Sequence, residues 1–256
     1  MPIHEQLDPA QIVFAIFAVA LGSFVQGAAG FGFGLITVPL LIWAGLDLPM
    51  AVAVLGATVL VQTAAGSWKF RKHIVWRDLP GMMVGRMIGV PIGLAIMAWL
   101  TAGGVELMKQ GVGVVLLGVL ALIVLLRPKP RHTVSNKWVP AVSLSSGVLS
   151  GTTGMGGPPL VLWMVAHDWS TKRSRVFLWA LFLQLMPVQL GLMLWKFGGE
   201  LWWGIAGGLV MTPVVVFAGH TGAKVGSRWS RQTLRRVTLG LLVVLALASI
   251  ASPWLG

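Results

Sequence analysis

Cysteine and tyrosine are both missing from this chain of 256 residues, and acidic residues number only seven. Without cysteine there is no disulfide, no thiolate metal site and no thiol nucleophile. The acids are Glu5, Asp8, Asp47, Asp78, Glu106, Asp168 and Glu200, and each falls in a loop or at the end of an apolar segment. No carboxylate is therefore set inside a hydrophobic segment to hold a hard cation or relay a proton. No histidine or cysteine cluster suits a transition metal either, so neither a metal site nor a cofactor is expected. Charged residues make up 10% of the chain, where a soluble domain carries about 25%.

What is present is apolar: 56% of the residues are hydrophobic. The chain is expected to be an integral membrane protein, with its length used up by spans. The N-terminal flank carries Glu5 and Asp8 rather than a basic n-region, so a secretory leader is not expected. Of 13 tryptophans, many fall at segment ends, where amphipathic rings prefer the headgroup level. The net charge of +12 does not argue for nucleic acid, because the basic residues are dispersed among short loops between apolar runs.

Apolar segments fall at 10–46, 48–67, 79–100 and 105–126, then at 138–168, 175–195, 201–222 and 234–254 after a polar linker at 127–137. Six of them match the roughly 20 residues of one span. The first and fifth are too long for one span and too short for two comfortable ones. Both contain a glycine string: Gly27-Ala28-Ala29-Gly30-Phe31-Gly32, and, 124 positions on, Gly151-Thr152-Thr153-Gly154-Met155-Gly156. The strings predict two hairpins, 10–46 and 138–168, that enter the bilayer, break and return. Unwound backbone is tolerated there only where protein or a water-filled cavity satisfies it.

Charge orients these segments. Sixteen of the 19 basic residues sit in four loops, around 69–77, 127–137, 172–175 and 224–236, and lysine and arginine concentrate on the cytoplasmic side. With those loops inside, the second hairpin begins and ends on one face. Each half then has a hairpin plus three spans (repeats 1–126 and 138–256), and three is odd. The expectation is an all-α polytopic protein built from two inverted-topology repeats, both termini outside. In such carriers the site lies near the midplane where the repeats meet. Gly85, Gly89 and Gly93 in one span and Gly222 and Gly226 in its counterpart step by four residues, which predicts close helix packing.

The features left inside the membrane suit an anion. Helix N-termini present bare N–H groups with a positive dipole end, and glycine lets that backbone approach a ligand. The candidate substrate-binding set is Gln26, Gly27, Gly30 and Gly32 at the first break, Ser150, Gly151, Thr152, Thr153, Gly154 and Gly156 at the second, and Arg86. Ser23, Thr37, Thr58, Gln62, Thr63, Gln184 and Gln189 are further polar candidates. Arg86 is the one basic residue well inside a segment. Its fork matches oxyanions, although snorkelling to the interface is the more ordinary role. His167 and His220 fit ordinary interfacial positions. No strand–turn–helix context makes either glycine string a phosphate loop, and no nucleophile with a positioned base argues for an enzyme.

At these residues the chain resembles the TauE/SafE family of sulfite exporters and toluenesulfonate uptake permeases. The similarity rests on Gly27 to Gly34 followed by Pro39-Leu40, on Ser146 to Pro159, and on the glycine-spaced helix from Gly85 to Gly93. Phe33 stands where the family commonly has glycine, which narrows that side. The resemblance implies a bacterial inner-membrane secondary transporter for sulfite, organosulfonates or related organic anions. Export is the expected direction, with uptake or a passive anion channel as alternatives. The expected partners are a small anionic substrate, the lipid bilayer and, as a candidate, a second copy in a homodimer.

Overall fold

The computed structural model describes residues 8–29, 32–69, 71–74, 76, 79–126, 134–229 and 231–251. Among them the regular elements are all helical: α1 (Pro9–Ala29), α2 (Phe33–Trp43), α3 (Leu48–Lys69), α4 (Leu79–Ala102), α5 (Gly104–Leu125), α6 (Val139–Thr153), α7 (Gly157–Val165), α8 (Thr171–Phe197), α9 (Leu201–Val210), α10 (Thr212–Gly226) and α11 (Arg231–Ala251). Four helices (α1, α4, α5 and α8) are long and apolar enough to cross a membrane, and the bent pair α9–α10 makes a fifth candidate. The chain is a multi-pass membrane protein.

Both long segments break at their glycines. The first separates into α1 and α2, with Gly32 at φ 107° ahead of Phe33; a left-handed φ is one that glycine adopts without steric cost. The second separates into α6 and α7 around Gly154 at φ 72°. There the Gly154 N–H returns to the Ser150 carbonyl at 2.9 Å and the Met155 N–H to that of Leu149 at 3.1 Å, closing the end of α6. The arms are unequal. α1 has 21 residues, enough to cross by itself, whereas α6 has 15.

One break falls where a single span is expected. Segment 201–222 bends by 50° between α9 and α10. Pro213 sits in the first turn of α10, where its missing N–H removes a rung from the helical ladder. Pro91 lies inside α4 without dividing it.

The two largest helix contacts are α4 on α6 and α1 on α10, followed by α3 against α8 and α9, and α5 against α11. Glycine makes the first two possible. A Cβ on Gly89 would lie 2.5 Å from the Leu144 carbonyl oxygen, and one on Gly147 the same distance from that of Arg86. In the other crossing, Gly27 lies against the backbone of Gly219, Gly222 against that of Phe24, and Gly226 against that of Ala28. The stepped glycines therefore serve helix packing, as their spacing suggests.

The driest part of the molecule is the central α2–α3 unit, where Leu35 to Ile42 and Leu48 to Leu55 are nearly all buried. Asp47 caps α3, accepting from the Met50 N–H at 2.7 Å. Large apolar side chains such as Val84, Ile88 and Ile92 on α4, Val114 on α5, Phe217 on α10 and Val244 on α11 face outward. Contiguous exposed apolar surface of this kind is what a lipid environment covers. Trp43, Trp68, Trp99, Trp138, Trp195, Trp202 and Trp203 are all exposed at or beside helix ends, the position of an interfacial aromatic belt.

Candidate functional site: two helix breaks that touch

The two breaks lie side by side. A Cβ on Gly34, in the first turn of α2, would stand 2.9 Å from the Gly154 carbonyl oxygen and 3.1 Å from Leu55 Cδ2. Leu55 of α3 is equally close to Gly154, 2.8 Å from the position of its missing Cβ. Two elements more than a hundred residues apart thus meet through bare backbone, with one leucine wedged against both.

Their polar groups are disposed differently. The first three N–H groups of a helix have no acceptor within it. In α2 they belong to Phe33, Gly34 and Leu35, and Ile36 is the first to close a bond, to the Gly32 carbonyl at 3.1 Å. Gly32 makes no side-chain cap. In α7 the equivalent positions are Gly157, Pro158 and Pro159; proline has no N–H, so this helix end offers far fewer donors.

The side chains of the second break are already engaged. Ser146 Oγ donates to the Gly156 carbonyl at 2.6 Å. Ser150 and Gln189 of α8 form a reciprocal pair: Ser150 Oγ donates to Gln189 Oε1 at 2.6 Å, and Gln189 Nε2 donates to the Ser150 carbonyl at 2.8 Å. The hydroxyls of Thr152 and Thr153 donate into their own helix, to Val148 and Leu149. A Cβ on Gly156 would meet Ser146 O and Ser150 Cβ at 2.6 and 2.7 Å. Gly151 is closed in by Val90 and Gly93 of α4, as Gly27 is by α10; neither glycine leaves room beside it for a solute.

Around the first break, Gln26 Oε1 and Thr37 Oγ1 are buried without a hydrogen-bond partner. Ser23 Oγ donates to the Val215 carbonyl of α10 at 2.7 Å. Gln62 Nε2 approaches Gly219 in the same crossing. Gly30 lies outside the described residues. Thr58 and Thr63 bond back to α3. Gln189 entered the sequence reading only as one of several deep polar residues; its role as the clasp on Ser150 was not legible at a separation of 39 positions.

Arg86 does not snorkel. Its side chain is fully buried against α8, and its backbone lies against Gly147 of α6. Nη1 donates to the Leu181 carbonyl at 2.8 Å, and the guanidinium lies 4.8 Å from the centre of the Phe182 ring. His167 sits between Trp163 and Trp169 at 4.5 Å from each ring, with Nδ1 2.8 Å from the Trp163 carbonyl; His220 is exposed.

Among the described residues no group of histidine, cysteine and carboxylate side chains is arranged to hold a metal. A cavity of about 500 Å³ between α5, α6 and α7 is lined mainly by apolar residues such as Val115, Leu122, Leu144 and Val148, with Ser145 among them. Outside the membrane segments, burial pushes the Asp47 carboxyl above its usual range, against the lowering effect of its bond from Met50.

The family model for the sulfite exporter TauE/SafE matches residues 14–249. A protein of Cupriavidus necator described as a probable sulfite/organosulfonate exporter TauE is 28% identical over 236 residues, which is 91% of this chain and 90% of that one. No solved structure matches. Two glycine-broken hairpins, a span-rich helical body and a match that runs through both halves lead to one conclusion: the chain belongs to the TauE/SafE sulfite exporter family.

Proposed function

We propose that this protein is a secondary transporter that exports a small oxyanion, such as sulfite, an organosulfonate or a related organic anion, across a bacterial inner membrane. The observation that carries the reading is the meeting of Gly34 with Gly154. It sets the uncapped N-terminus of α2 at the junction of the two halves; Gln26 in the last turn of α1 holds an unpartnered oxygen, and so does Thr37 of α2, whose hydroxyl faces Gly22 of α1. The N–H groups of Phe33, Gly34 and Leu35 would take the anion's oxygens. Gln26 turns its amide N–H toward them when the side chain flips, and Thr152 and Thr153 contribute once their hydroxyls leave α6. The family match and the exporter description of the Cupriavidus relative support the substrate class and the direction.

Inverted repeats are part of the proposal. Exchanging α1 with α6, α3 with α8, α4 with α9–α10 and α5 with α11 turns the α1–α10 contact into α6–α4 and leaves the α3–α8 and α5–α11 contacts in place. The basic loops then face the cytoplasm and the termini the periplasm.

A monovalent anion leaving a negative interior is driven by about 2.3 kcal/mol per 100 mV, so no coupling ion is required. Purified protein in liposomes, loaded with sulfite or sulfoacetate, should show saturable flux that accelerates as the loaded side is made negative. Flux indifferent to voltage overturns electrogenic export; flux that never saturates identifies a passive channel.

A further inference from the structure

Arg86 is the one cation wholly buried in the described helices, and its surroundings do not neutralise it. Nε and Nη2 are both buried without a hydrogen-bond partner, and the single bond it makes is to a neutral carbonyl. The described acids all lie in loops or at helix ends: Asp8 before α1, Asp47 before α3, Glu106 in the first turn of α5, Asp168 after α7 and Glu200 before α9. A charge enclosed in this way is costly unless something of opposite sign joins it. The described residues supply no such group.

The geometry points to a second anion site at Arg86, distinct from the α2 end, at which the guanidinium fork holds two oxygens of a small oxyanion during transport. Nε and Nη2 lie on one edge of the guanidinium, the pair of donors that grips an oxyanion in bidentate fashion. Leu181 and Phe182 of α8 hold the opposite side of the group. Both helices that frame it are weakened nearby. Pro91 of α4 and Pro187 of α8 leave the Met87 and Leu183 carbonyls without an intrahelical donor, and proline positions are where helices bend. The present conformation seals Arg86; bending of α8 away from α4 would open it. Arg86 lies about two turns from the start of α4 and Leu181 about three from that of α8, so the site sits between the basic-loop face and the breaks. In this arrangement the solute is drawn first to a fixed positive charge and then passes to neutral peptide donors, which release it more readily.

The inference rests on the anion-carrier reading above, and one experiment separates the two. Detergent-purified wild type, Arg86→Gln and Arg86→Lys would be titrated with sulfite and with sulfoacetate, following thermal stability. Wild type should be stabilised by at least one of them. Arg86→Gln, isolated at the same or higher stability without ligand because a buried charge has been removed, should bind roughly 10- to 100-fold more weakly. Arg86→Lys should fall between, since a point charge cannot replace the fork. Arg86→Gln that unfolds more easily yet keeps the wild-type affinity makes Arg86 a structural strut and overturns the site. Arg86→Gln with unchanged stability and unchanged affinity overturns it too. Wild type that neither binds nor transports any of these anions defeats the carrier reading itself, and the Arg86 site with it.

Discussion

The two broken hairpins carry the same glycine string, yet the second has its hydroxyls all partnered while the first keeps two buried oxygens without a partner. At the α6–α7 break every named hydroxyl has a partner: Ser146 on Gly156, Ser150 on Gln189, and Thr152 and Thr153 on their own helix. At the α1–α2 break, two buried oxygens have none, and the N-terminus of α2 keeps the donors that Pro158 and Pro159 delete from α7. Satisfied polar groups fix a shape, whereas unsatisfied ones in a dry place are expensive and are retained where a ligand completes them. On the proposed reading the first break offers its donors as it stands, and the second adds Thr152 and Thr153 only once they leave α6.

The sharpest test of that difference sets Gly34 against Gly157. Gly34→Ala pushes a methyl into the Gly154 carbonyl and Leu55, whereas a Cβ on Gly157 meets only Phe182 Cζ, at 4.0 Å. The first substitution should abolish flux and cost about 1–3 kcal/mol. The second should stay within about 0.5 kcal/mol of wild type and transport normally. Thermal unfolding and liposome flux on both variants read this directly.

Next comes a crossed pair. Ser150→Ala strands Gln189 Oε1 and should lower stability by about 1–3 kcal/mol, while Gln26→Leu removes an oxygen that bonds to nothing and should leave the melting temperature level. Flux should reverse the ranking, with Gln26→Leu inactive. Thr153→Val should also lose transport while expressing normally. Wild-type flux from both Gln26→Leu and Thr153→Val would move the site elsewhere.

A smaller effect tests the inverted packing. Gly89→Ala and Gly222→Ala press on carbonyls in the crossings α4–α6 and α1–α10, which the proposed inverted repeat makes counterparts, so on that proposal their losses of melting temperature should match within error. The smallest concerns Asp47. Burial raises its pKa, so the folded state holds its proton to higher pH than the unfolded one. Stability therefore falls as pH rises from the ordinary carboxylate range through the raised value. Asp47→Asn keeps the cap on Met50 and should flatten that slope in a pH series of melting curves.

Much of this was written in the sequence. Over-long apolar segments with glycine strings located both breaks, because only a few residues tolerate the positive φ that Gly32 and Gly154 adopt. The four-residue glycine steps announced the crossings. Other features were hidden for physical reasons. Pro91 and Pro213 look alike in sequence, but the chain bends between α9 and α10 and stays continuous in α4; a proline weakens a ladder, and tertiary packing decides whether it opens. Arg86 was more readily imagined reaching for water, since nothing local shows that Leu181 and Phe182 would enclose it. The pairing of Ser150 with Gln189 depends on how α6 and α8 dock, which no spacing rule encodes.

The glycine crossings also limit how the protein can rearrange. Where backbone rests on backbone, sliding by even one residue drives a carbonyl into a neighbouring Cα, so α1 with α10 and α4 with α6 travel as welded couples. The α3–α8 seam, where Gly56 meets only the Leu190 side chain, which can change rotamer, is left as a slip plane. Each couple contains one helix from either half of the chain, so neither half can rock as a unit.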